Sequence, residues 1–132
     1  MKKITAILLC YIFCFSITTS FAQNEARQQY MQFIKKADDF YEAKDYKNSA
    51  LSYSEAFKVG NGVSRILDHY NAACSWALAN MTDSAFVQLD MIVSVNKFED
   101  YDQVADDQDL KSLHADARWI PLLEAIKGNK KK

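Results

Sequence analysis

A chain of 132 residues with 16 lysines and arginines against 17 aspartates and glutamates, formal net charge −1, lacks the basic excess that nucleic-acid binding requires. Three glycines and one proline argue against a sheet with many tight turns and favour long helices. Three cysteines, two of them within the first 14 residues, leave no basis for a disulfide framework.

Lys2 and Lys3 precede an almost unbroken apolar run from Ile4 to Ile17. Thr18-Thr19-Ser20-Phe21-Ala22 follows, with small residues at Ser20 and Ala22. That order is the pattern of a secretory signal peptide cleaved between Ala22 and Gln23. The run is short for a span of about 20 residues and has no positive flank after it. The expectation is therefore an exported chain, periplasmic or secreted, with no membrane insertion after cleavage. Neither Leu9 before Cys10 nor Phe13 before Cys14 is the small residue that a lipidated cysteine needs. Without Lys2 and Lys3 the segment 23–132 carries 14 basic and 17 acidic residues, net −3. Its length suits one domain over 23–128, with 129–132 a basic, disordered tail. Cys74, between Ala73 and Ser75 on an apolar helix, reads as a small core residue.

Phe33, Ala37, Phe40 and Tyr41 share one helical face. After a break at Lys44-Asp45, Tyr46, Ser49, Ala50, Tyr53, Ala56 and Phe57 mark a second helix. Val59-Gly60-Asn61-Gly62 ends it, and Ser64 stands where it can cap the next. A shift of 36 residues brings Ala37 onto Ala73, Phe40 onto Trp76, Ser49 onto Ala85 and Tyr53 onto Leu89. Small residues meet small and large apolar residues meet large, except that Ala56 meets Ile92. A period in the thirties across helix-turn-helix units is the mark of a helical solenoid.

Tyr70 to Ala79 resembles the first helix of a tetratricopeptide repeat (TPR), and Asp83 to Ile92 its second. Asp45 to Phe57 is similar to the second helix of a preceding repeat. Departures are Phe33 and His69 at a frequent tryptophan, Lys36 and Ala72 at a leucine, and Asn61 and Lys97 at the closing proline. From Phe98 the pattern changes to a segment resembling the closing piece of bacterial TPR arrays. There Trp119, Leu122, Leu123 and Ile126 make an amphipathic last helix, with Asp116 as its N-cap and Gly128 as its stop. The resemblance implies an all-α, short TPR-like solenoid. Its two repeats span about 30–59 and 66–96, and a helical cap spans about 98–127. Two repeats leave outer faces uncovered, so Val104, Leu110, Leu113 and Trp119 are expected in the core of that cap.

No catalytic or metal-binding pattern emerges. The acidic run 99–109, aligned as a calcium loop from Asp100, offers Ala105 and Lys111 where glycine and glutamate are needed, so its aspartates read as helix caps. His69, Cys74 and His114 lack ligand spacing. No nucleophile elbow or phosphate loop is present. The expectation is a non-enzymatic chain without cofactor or metal. The resemblance implies that it binds a peptide or protein segment on a concave face built by the first helices. That face carries Ile34, Asp38, Tyr41, Tyr70, Asn71 and Cys74, flanked by Met31, Glu42, Ala77 and Leu78. Asn71 matches one member of the family's carboxylate clamp, but Ile34 and Asp38 replace its lysine and asparagine, so a groove for basic or aromatic segments is expected instead. The structural alternative is a chain that self-associates, as a dimer or a stack, through its uncapped N-terminal helix face.

Overall fold

The computed structural model describes residues 23–60, 62 and 64–130; the expected signal segment over 1–22, with Cys10 and Cys14, lies outside them. Among the described residues all regular structure is helical, so the fold is all-α. Helix α1 covers residues 23–42, beginning before the expected repeat start near residue 30. It is followed by α2 (Tyr46–Val59), α3 (Ile66–Leu78) and α4 (Thr82–Asp90), the last running into a π-turn over Met91–Val95. Then come α5 (Tyr101–Ala105), a 3-10 helix (Gln108–Leu113) and α6 (Trp119–Lys130).

The 36-residue correspondence reappears in the backbone. Lys44 and Asn80, 36 apart, both take left-handed conformations, with φ of 61° and 58°. Around Lys44, the Asp45 N–H donates to Phe40 C=O at 2.9 Å and the Lys44 N–H to Tyr41 C=O at 2.9 Å. Around Asn80, the Met81 N–H donates to Trp76 C=O at 2.9 Å and the Asn80 N–H to Ala77 C=O at 3.0 Å. Both are Schellman endings, which satisfy carbonyls that a helix end leaves orphaned. The two turns thus reverse the chain by the same bonds, so α1–α2 and α3–α4 are equivalent hairpins. Asp45 then caps α2 by accepting from the Asn48 N–H at 3.3 Å.

Helix α3 lies at the centre and packs against α2, α4, the π-turn and the 3-10 helix. From Asp68 to Ala77 only Asn71 is exposed. Small residues let the neighbours come close. Ser49, Ala50 and Ala56 of α2, Ala72, Ala73 and Ser75 of α3, and Ala85 of α4 are all fully buried. Ser49 Oγ lies 2.9 Å from Ser75 Oγ, and Ser75 Oγ donates to Asn71 C=O at 2.9 Å, so the buried hydroxyls at this seam are satisfied. Buried Asp68, 2% exposed, accepts from Tyr30 Oη on α1 and from Arg65 Nε and Nη2 at 2.8 and 2.7 Å. Burial, and then that bond to Asp68, pushes the Tyr30 phenol up to about 12.

The C-terminal segment closes this body. Val104, Leu110, Leu113, Trp119 and Ile126 join Trp76, Phe86, Leu89 and Ile92 in one core, as expected. Four local expectations need correction. Ser64 does not cap α3: Arg65 holds that position without a side-chain bond, because the Ser64 hydroxyl pairs with the His69 ring at 2.8 Å. Asp116 caps the turn before α6 by accepting from the Arg118 N–H at 2.9 Å, and the helix starts later, at Trp119. The late start puts Pro121 in the first turn, where its missing N–H costs nothing. Gly128 does not end α6, which runs to Lys130. Residues 129 and 130 therefore belong to that helix and not to a disordered tail, held there by the Asn129 amide donating to Val93 C=O at 2.9 Å and Phe98 C=O at 3.0 Å. Residues 131 and 132 lie outside the described ones.

Two substitutions test this packing in urea unfolding. Trp119, buried and stacked on His114 at 4.4 Å, should cost roughly 3–5 kcal/mol when changed to alanine. Ala73→Leu should cost about 1–3 kcal/mol, since the seam has no room for the added carbons. Full stability in either variant would contradict the packing described.

Candidate binding cleft

The exposed side of Asn71 opens onto a cleft of about 440 Å3. Helix α1 supplies Asp38, Tyr41 and Glu42 along one edge, and α3 supplies Tyr70, Asn71 and Cys74 as the floor. Tyr53 enters from α2, and Asp107 and Asp109 from the loop and 3-10 helix of the cap. The spacing explains the convergence. Asp38, Tyr41 and Glu42 sit at i, i+3 and i+4 on one face of α1. On α3, Cys74 lies four residues from Tyr70 and three from Asn71, so it shares a helix face with each.

Five of the six residues expected on the concave face are therefore brought together: Asp38, Tyr41, Tyr70, Asn71 and Cys74. Ile34 is not among them. It is 4% exposed, packed with Tyr30, Ala37, Tyr53, Ala56 and Ala72, because α2 and α3 close over α1 one turn before the cleft. Of the flanking positions, Glu42 lines the cleft, Met31 is exposed away from it, and Ala77 and Leu78 lie at or near the core. Tyr53, Asp107 and Asp109 were missed. Asp107 carried the signal of a cap, and it does cap, accepting from the Asp109 N–H at 2.9 Å; the same carboxylate also faces the cleft.

Three tyrosine–aspartate pairs organise the walls. Tyr53 Oη donates to Asp38 Oδ1 at 2.5 Å, Tyr70 Oη to Asp107 Oδ2 at 2.5 Å, and Tyr41 Oη to Asp109 Oδ2. The last two fasten the cap to the helices that carry the floor. Tyr70 is only 5% exposed, with its ring against Phe98 at 6.1 Å, so it is a fixed wall and not a free anchor. Desolvation, reinforced by the accepting carboxylate, holds the Tyr41, Tyr53 and Tyr70 phenols above their ordinary value. Burial first, and then the charges of Asp107 and Asp109, raises the Cys74 thiol as well. Cys74 Sγ lies 3.7 Å from Asp107 Oδ2 as a weak donor.

Asp38, Glu42, Asp107 and Asp109 give the cleft four carboxylates. None of the ion pairs among the described residues involves any of them. Among the described residues that line it there is likewise no lysine or arginine. Elsewhere Ser64 Oγ, the His69 ring and Gln88 Oε1 lie in a row at 2.8 and 2.7 Å. That order of hydroxyl, imidazole and carbonyl is one a nucleophile relay would use. However, the imidazole is buried and stacked on Phe57 at 4.1 Å, and neither Ser64 nor His69 lines the cleft. The row joins the α2–α3 loop, α3 and α4.

The raised phenols give the alkaline limb of stability a sign. Below pH 10.0, the ordinary phenol value, the tyrosines are protonated in folded and unfolded chains alike, and their bonds contribute fully. Above it the unfolded chain loses these protons first, so folding weakens as pH rises, for Tyr30 up to about 12. The urea midpoint should fall above pH 10, with phenolate absorbance delayed until unfolding. Tyr41→Phe should flatten that fall; an unchanged slope would contradict the Tyr41–Asp109 bond.

No protein-family model, no curated protein and no solved structure matches this chain.

Proposed function

We propose that this chain is a non-catalytic interaction module of the cell envelope or secreted fraction, a short TPR-like solenoid that holds a peptide or protein segment in its concave cleft. The observation that carries the reading is the cleft's composition: four carboxylates with no ion-pair partner among the described residues, set among tyrosine rings on helices. Asp38 and Glu42 are exposed and Asp107 and Asp109 half-buried, so this negative charge is left facing solvent, as unpaired charge in a folded chain must be. Here it faces an open cleft of a size that takes a side chain or short segment.

Two further observations support the reading. The equivalent Schellman turns at Lys44 and Asn80 favour a repeat built of like hairpins, the architecture in which first helices share a concave side. The reactive-type groups in the cleft are committed to one another. Phenols and thiol are held protonated, and each of the four is a donor to an aspartate, so none is set up as a nucleophile. The signal-like sequence at residues 1–22 supports export.

A photo-crosslinking residue placed at Asn71, exposed within the cleft, tests the proposal in the cells that make the protein. The same crosslinker at Val87, 60% exposed on α4, is the control. Position-specific adducts to a defined segment of another protein at 71 and none at 87 are expected. Adducts at 87 alone would move the binding face away from the cleft, and adducts solely to a second copy of the chain would favour a self-associating structural role.

A further inference from the structure

Resting on the cleft as a segment-binding groove, we infer that its occupant is an arginine side chain: the groove recognises a guanidinium, not a basic segment in general. Charge complementarity sets the sign of the partner. Asp38, Glu42, Asp107 and Asp109 face the groove, and no cation among the described residues pairs with them.

Geometry selects the kind of cation. A carboxylate oxygen of Asp107, one of Asp109 and the Cys74 sulfur all lie within 4.8 Å of one another, so two acid groups converge from one short segment. Each aspartate already accepts a phenol hydroxyl, Asp107 from Tyr70 and Asp109 from Tyr41. Those bonds fix the carboxylates. Of the roughly four acceptor positions of an ionised carboxylate, Asp109 keeps most open, and Asp107, which also accepts from the Asp109 N–H and Cys74 Sγ, keeps about one. A guanidinium has five donors in a planar fork, enough to engage both carboxylates at once while its face lies along a tyrosine ring. A lysine ammonium is a strongly hydrated point charge that gains less from a pair of prearranged acceptors beside aromatic walls.

The competing occupant of the same three groups is a divalent metal. To use all three groups it would need the thiolate of Cys74, whose burial and two neighbouring carboxylates hold it as the thiol. The guanidinium uses the carboxylates as they stand.

The test is an NMR titration of the protein with the pentapeptide acetyl-Ala-Ala-Arg-Ala-Ala-amide and its lysine and citrulline counterparts. Saturable shifts at the Asn71, Cys74, Asp107 and Asp109 amides are expected with arginine. Binding should be about tenfold weaker with citrulline, which keeps the shape and loses the charge, and measurably weaker with lysine. Asp109→Asn, which keeps an acceptor for Tyr41, should lower arginine affinity by about tenfold at an unchanged melting temperature. Because that variant touches the cap, Glu42→Gln, an exposed cleft residue, is the second arm and should weaken binding without unfolding the chain. Equal binding of the three peptides in the cleft would overturn arginine recognition and leave the segment-binding reading standing. Shifts at these amides with calcium or zinc chloride and none with any peptide would make the groups a metal site and overturn it. Crosslinks absent from position 71 as well would remove the binding reading itself.

Discussion

The structure depends on burying one helix from every side. Between Asp68 and Ala77, α3 turns tyrosine, tryptophan, cysteine, alanine, serine, histidine and aspartate alike into the interior. A helix surrounded in this way cannot present bulk on all faces, and α3 answers with Ala72, Ala73, Ser75 and Ala77 where neighbours come close. Its large residues, Tyr70 and Trp76, share one core with Phe86 and Leu89 of α4 and Leu110 of the cap. The polar residues that this packing traps are all matched. Among the described residues no buried side-chain nitrogen or oxygen lacks a partner. Asp68 with Tyr30, and Ser49 with Ser75, make those matches between different helices, so they fix how the helices sit as well as satisfying the groups.

The cleft is what remains where that enclosure stops. Asn71 is the one position of Asp68–Ala77 left open, and α1, α2 and the cap stand around it as walls. The tyrosines explain how four carboxylates gather there without unfolding the chain. Each of three aspartates accepts a hydrogen bond from a phenol hydroxyl, and two of those bonds hold the cap in place. Packing and recognition therefore share residues. Tyr70 contributes its ring to the core and its hydroxyl to the cleft, so a change there reads out in both stability and binding.

Helix-forming signals in the sequence were strong where they were local. The spacing of Phe33, Ala37 and Tyr41, the scarcity of glycine, and the 36-residue correspondence located the four long helices, and the Trp119 to Ile126 stripe located the last. Register along α1 and α3 was enough to group Asp38 with Tyr41 and Tyr70 with Asn71 and Cys74. It was not enough to exclude Ile34, because which turn of α1 is covered depends on where α2 and α3 cross it. Asp107 and Asp109 were hidden for a different reason. They come from a segment outside the repeat, and no period relates a 3-10 cap to the helices it closes. Gly128 misled because its context is tertiary: Asn129 bonds to carbonyls at 93 and 98, more than thirty residues away, and carries the helix past a residue that usually ends one.

Packed together in one core, α3 and the cap act as one cooperative body, so that the cleft between them has walls in fixed positions. Native-state amide hydrogen exchange measures this most directly. The α3 amides from Ala72 to Ala77 and those of Leu110 and Leu113 should exchange only by global unfolding, with the same, largest protection in the molecule. Cap amides that exchange through a separate opening, well below the protection of α3, would contradict it.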